Sequence, residues 1–94
     1  MSLRNKIKSA MKEAMKEKAQ LRLSTLRLIS AAIKDRDIAA RSEGVEDGVD
    51  DTEILAILGK MTRQRQESAK TYEEAGRLDL SEREISEIQV IEYF

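Results

Sequence analysis

No proline interrupts this chain from end to end, and only four glycines do. Two of them, Gly44 and Gly48, fall in one acidic stretch, Arg41-Ser-Glu-Gly-Val-Glu-Asp-Gly-Val-Asp50, the only segment that reads as a loop. On either side of it, apolar residues recur at helical spacing. A backbone punctuated this rarely, and built mainly of Ala, Leu, Ile, Lys, Glu and Arg, is committed to long helices. With aromatics at 3%, strands have little to be made from. The expectation is an all-α domain, a small bundle of about four helices, with residues 1–94 forming one domain around one modest core.

The first helix should begin after Ser2, a good N-cap, with Leu3, Ile7, Met11, Ala14 and Met15 on one side and lysines around the rest. The second should span about Ala19–Ala40, where Leu21, Leu23, Leu26, Leu28, Ile29, Ala32 and Ile33 cover more than one face, the mark of a central helix. Nothing marks the break between Lys16 and Leu21, so one helix across residues 2–40 and two helices both fit the pattern. The third has Asp50 or Asp51 as cap, Glu53 placed for a capping box, and a stripe of Ile54, Leu58, Met61, Arg65, Ser68, Tyr72 and Ala75 ending at Gly76. Arg65 lies on the inward stripe and needs a carboxylate; Arg65, Tyr72 and Glu84 are the expected internal polar cluster. The fourth helix should follow a turn at Arg77-Leu-Asp-Leu80 and open with a capping box of Ser81 and Glu84. Its apolar side is Ile85, Ile88, Val90, Ile91 and Phe94. An ending on Ile-Glu-Tyr-Phe calls for something to pack on, either the core or a following part of the chain.

Catalytic chemistry finds few residues to use. Histidine and cysteine are both absent, which removes the commonest general base, any thiolate and the commonest metal ligands. No glycine loop of the nucleotide-binding kinds is present. Ser24 and Thr25 sit inside a leucine-rich helix, where hydroxyls bond back to the backbone. The acids Glu46, Asp47, Asp50, Asp51 and Glu53 lack the alternation of a calcium loop. No cofactor, metal site or membrane association is expected, and a chain without cysteine suits a cytoplasmic location.

The net charge of −1 hides a division. Residues 1–41 carry eleven Lys/Arg against four Asp/Glu, whereas residues 42–94 carry six against fourteen. Such a split belongs either to a polyanion-binding face beside an acidic half or to two halves of one bundle that attract each other. On the third helix Lys60, Arg63, Gln64 and Glu67 share a face that could meet phosphates or simply carry internal charge pairs.

The run Arg22-Leu-Ser-Thr-Leu26-Arg27 with Ala32-Ile33-Lys34, then Arg63-Gln-Arg65-Gln-Glu67-Ser68, Tyr72, Ala75-Gly-Arg77-Leu-Asp79-Leu80, and Glu84 with Glu87 resembles the GatB/YqeY family, its free-standing YqeY-like members most closely. The resemblance implies the N-terminal helical subdomain of a two-part module. A related module forms the tail of the B subunit of the glutamine-dependent amidotransferase, where it helps hold the mischarged tRNA. Free-standing members are called carbon–nitrogen ligase-like, with glutamine as amido-N-donor, by homology. Such members usually continue into a second subdomain, and an acid often caps the second helix where this chain has Ala19. The implied partners are tRNA and amidotransferase subunits; the alternative is a protein-interaction module that binds no nucleic acid. Arg22, Arg27, Lys34, Lys60, Arg63, Gln64 and Arg77 are the candidate nucleic-acid contacts, and no catalytic residue is assigned.

Overall fold

In the computed structural model, which describes residues 2–94, Ser2 Oγ accepts the Asn5 amide hydrogen at 3.2 Å and opens α1 (Leu3–Lys16). Three further helices follow: α2 (Gln20–Ser42), α3 (Asp51–Glu74) and α4 (Leu78–Glu92). Among the described residues there is no strand, so the all-α class is the class found.

The first forty residues form two helices. Lys18 stands at φ 54°, and the Ala19 and Lys18 amides donate to the carbonyls of Ala14 and Met15. This is the paired-bond closure of a helix C-terminus that normally has glycine in the left-handed position. The same closure recurs at the ends of α2 and α3. There Val45 and Gly44 donate to Ala40 and Arg41, and Arg77 and Gly76 donate to Tyr72 and Glu73. Gly44 and Gly76 take the left-handed place at φ 91° and 75°. Lysine filling that place hides the first break, because Cβ makes the conformation costly without forbidding it. Ala19 leaves the start of α2 without a side-chain cap.

Asp50 caps α3, its carboxylate accepting the Glu53 amide at 3.0 Å. The reciprocal half of the expected box is replaced: the Glu53 carboxylate reaches Arg36 at 3.3 Å instead. The start of α4 also differs. The helix begins at Leu78, so Ser81 is a buried residue inside it and no Ser81–Glu84 capping box forms. Arg77, already bonded to Tyr72 by the closure of α3, serves as the N-cap position, and no side chain caps the helix there.

The core is Ile7, Ala10 and Ala14 of α1, Leu26, Ile29, Ile33 and Ala40 of α2, Ile54, Leu58 and Met61 of α3, and Ile91 of α4, with Val49 from the loop. Fully buried isoleucine or leucine contributes about 1.5–3 kcal/mol each, so this short set carries most of the fold. α2 packs on each of the other three helices, but so does α3, whose pairing with α4 is the most extensive, so the central place expected of α2 is shared. Leu28 and Ile85, however, stay about half exposed, as does Met15. Phe94 packs against the edge of the core while Tyr93 remains exposed.

Candidate nucleic-acid interface

Two hairpins divide the charge. α1 and α2 carry the basic half, α3 and α4 the acidic half. If attraction between halves explained the split, ion pairs would cross between them. Among the described residues one does: Arg36–Glu53, with both side chains about half exposed. The pairs Arg4–Asp37, Arg65–Glu87 and Arg77–Asp79 each lie within a single half. Among the described residues, nine of the eleven cations in residues 1–41 make no ion pair, and all nine but Arg22 are exposed.

The candidate contacts do not converge on one site. Lys34 lines a shallow groove between α1 and α2 with Arg4, Lys8, Ser30 and Asp37. Arg27 lies two turns before Lys34 on the exposed part of the same helix. Lys60 and Gln64 line a separate groove between α2 and α3, beside Asp35 and Arg36. Arg63 is exposed, its guanidinium close over Gly59. Arg22 lies 5.1 Å over the Tyr93 ring, at a hollow of about 390 Å³ bordered by Lys6, Glu13 and Phe94. Arg77 reaches Asp79 at 3.5 Å on the far turn of the α3–α4 hairpin.

The polar cluster between α3 and α4 also differs in detail. The carboxylate facing Arg65 belongs to Glu87, at 3.7 Å, with both side chains largely buried. Arg65 Nη1 donates to the Met61 carbonyl at 3.2 Å, and its buried Nε has no hydrogen-bond acceptor. Glu84, the expected partner, stands one turn before Glu87, and burial first and Glu87 second raise its pKa above the usual carboxylate value. Tyr72 lines a hollow on α3 with Gln64, Glu67, Ser68 and Thr71 rather than bonding to Arg65.

Sequence reasoning passed over one polar assembly. Arg4 donates to both Asp37 carboxylate oxygens, at 2.8 and 3.0 Å, and to the Val49 carbonyl at 3.0 Å. Asp37 in turn accepts the Val49 amide at 2.8 Å. Bonds from Arg4 and then Val49 hold the Asp37 pKa down at about 2. Gly48 makes room, since a Cβ there would stand 2.9 Å from Arg4 Nη2. The loop glycine at φ 87° was the one visible trace of this lock.

The loop acids are largely committed to structure. Asp50 caps α3, Asp51 accepts the Leu3 amide at 3.3 Å and Glu53 pairs with Arg36. Among the described residues, no group of three or more acidic, histidine or cysteine side chains is placed to hold a metal, and no helix is long and apolar enough to cross a membrane.

Fold and surface together define a small all-α module with a basic hairpin exposed beside an acidic one. The chain belongs to the YqeY-like family: the family model described as "Yqey-like protein" matches residues 4–94. It is similar to the protein named "Altered inheritance of mitochondria protein 41, mitochondrial" from several yeasts. The Clavispora lusitaniae protein is 30% identical over 93 residues, covering 99% of this chain and 51% of the relative. The Lachancea thermotolerans protein is 32% identical over 88 residues, covering 94% and 45%. The chain thus spans about half the length of the curated relatives it matches. Their names place those proteins in mitochondria, which overturns the cytoplasmic expectation. The lack of cysteine rules out disulfides but does not name a compartment.

Proposed function

We propose that this chain is an RNA-binding accessory module that helps hold transfer RNA for chemistry carried out by another protein, an amidotransferase being the partner the family resemblance implies. The observation that carries this reading is the exposed, unpaired cation set of the α1–α2 hairpin. Neither fold nor core needs that charge, and a concentration of unneutralised Lys and Arg attracts phosphate backbones. The carbon–nitrogen ligase name attached to the family supplies the reaction served; this module contributes grip and orientation to it. The names of the yeast relatives point to the mitochondrion as the compartment.

Titration of labelled tRNA with the chain, at about 50 and 200 mM salt, tests the reading. Binding should be clear at the lower salt and weaken steeply at the higher, because each phosphate contact releases counterions. Absence of binding at both refutes it.

A second reading, docking on a protein partner, draws on Leu78, Ile85 and Tyr93, which share one exposed side of α4. A strictly monomeric mass together with no effect of Ile85→Glu on capture of amidotransferase subunits counts against it.

A further inference from the structure

The basic hairpin is not equally basic all round. On α1, Arg4 and Lys8 line the groove shared with Ser30, Lys34 and Asp37 of α2, and Lys12 follows Lys8 at the same four-residue spacing. On α2, Arg27, Lys34 and Arg41 are seven residues apart, so they form a line with about 10 Å between successive members. Lys34 of this line enters the groove that Lys8 enters from α1. The one carboxylate there, Asp37, is already matched by Arg4. Five cations, Lys8, Lys12, Arg27, Lys34 and Arg41, are left along this flank with no ion-pair partner among the described residues. The other flank of α1 is different, with Glu13 beside Lys6 and the aromatic rings of Tyr93 and Phe94.

This placement separates the charge from every aromatic ring of the chain. Tyr72 lines a hollow on α3, and Tyr93 and Phe94 border the opposite flank of α1. Single-stranded RNA is gripped by bases stacking on aromatic rings, which this flank lacks. A membrane surface would need an apolar face to insert, and that of α1 is spent in the core as Ile7, Ala10 and Ala14. Fixed rows of cations on two packed helices suit fixed rows of phosphates.

We infer that this five-cation ladder holds the phosphate backbone of double-helical RNA, the stems of a structured RNA, and reads no base. The inference rests on the proposed function and names the part of the RNA that the module grips. It sets aside the α3 row at Lys60 and Arg63, which has Asp35 in the same groove as Lys60.

The test is fluorescence anisotropy of a short RNA duplex and of a single strand of equal length and composition, each titrated with the 94-residue chain across salt concentrations. Five phosphate contacts give a slope of about −4.5 in log affinity against log salt, or about a 500-fold loss between 50 and 200 mM. The variant Lys8→Gln/Arg27→Gln/Lys34→Gln changes exposed side chains only, and circular dichroism verifies its fold. It should flatten the slope by about 2.7 and weaken duplex binding at least tenfold at low salt. Lys60→Gln/Arg63→Gln/Lys70→Gln removes the same charge from α3 and should cost clearly less. An equal or greater loss from the α3 variant, or single strand bound as tightly as duplex, overturns the inference while tRNA binding itself survives. Failure of the unaltered chain to bind either duplex or tRNA at low salt refutes the proposed function itself.

Discussion

Replacing Asp37 by alanine removes the anion at the centre of the lock formed by Arg4, Asp37 and Val49. Three bonds disappear: two from Arg4, at 2.8 and 3.0 Å, and one from the Val49 amide at 2.8 Å. Arg4 keeps only the Val49 carbonyl. An ion pair fully in water contributes about 0–1 kcal/mol. This one has only 17% of the Asp37 side chain exposed and 29% of Arg4, and it also anchors the backbone of Val49. The pKa offers a second route to the magnitude. A carboxyl moved from 3.8 to about 2 stabilises the folded state by at most about 2.4 kcal/mol at neutral pH, and residual solvent contact lowers that to about 1–2. Adding the stranded Val49 amide brings the expected cost of Asp37→Ala to about 2–3 kcal/mol. Urea unfolding followed by far-ultraviolet circular dichroism measures it. Because the folded value lies below the unfolded one, the Asp37 contribution is complete above about pH 4 and is lost as pH falls toward 2. The variant should therefore lack this part of the acid loss. A stability within about 0.5 kcal/mol of the unaltered chain at pH 7, or an unchanged acid limb, would show that the lock is ornamental to the fold.

Gly48→Ala should cost about 2 kcal/mol, from the φ of 87° and the 2.9 Å approach to Arg4, and a double-mutant cycle with Asp37→Ala should show strong coupling. Lys18→Gly should stabilise by about 0.5–1 kcal/mol, because glycine relieves the φ of 54° at some cost in unfolded-chain entropy; a lower midpoint in urea refutes this. Arg65→Ala should destabilise by about 2–3 kcal/mol, since it leaves Glu87 buried without its cation; an unchanged thermal melt would refute it. Glu84→Gln should be neutral or stabilising at pH 7, since a carboxyl with raised pKa opposes folding when ionised, and a clear loss in urea would contradict that sign.

Caps and stripes made most of the fold legible. Ser2, Asp50 and Gly76 do what their residue types favour, and Ile54, Leu58 and Met61 pack inward as their spacing requires. The failures have local causes. At Lys18 the chain accepts a strained lysine where the usual signal is glycine, so a real helix end carries no mark. At Ser81 a good capping pattern is overruled because the closing turn at Gly76 lets α4 start at Leu78. Glu84 and Glu87 are one turn apart on the same side of α4, and spacing cannot say which meets Arg65. The Arg4–Asp37 pair joins residues 33 apart, a relation that only packing reveals.

Charge was the least legible property, because a total per half does not say what the charge faces. Both readings of the split require the same composition; they differ in whether cations and carboxylates meet. In this fold they seldom do across the halves, and the two most buried pairs, Arg65–Glu87 and Arg4–Asp37, sit inside one half each. The charges that secure the structure are therefore distinct from those left on its surface. High salt should screen the exposed α1–α2 cations, which lie in water, far more than it affects a fold resting on Leu26, Ile29, Ile54 and Ile91. That separation lets the proposed ladder on α1 and α2 be altered without touching the core, and it makes ionic strength a handle on the proposed binding far more than on the fold.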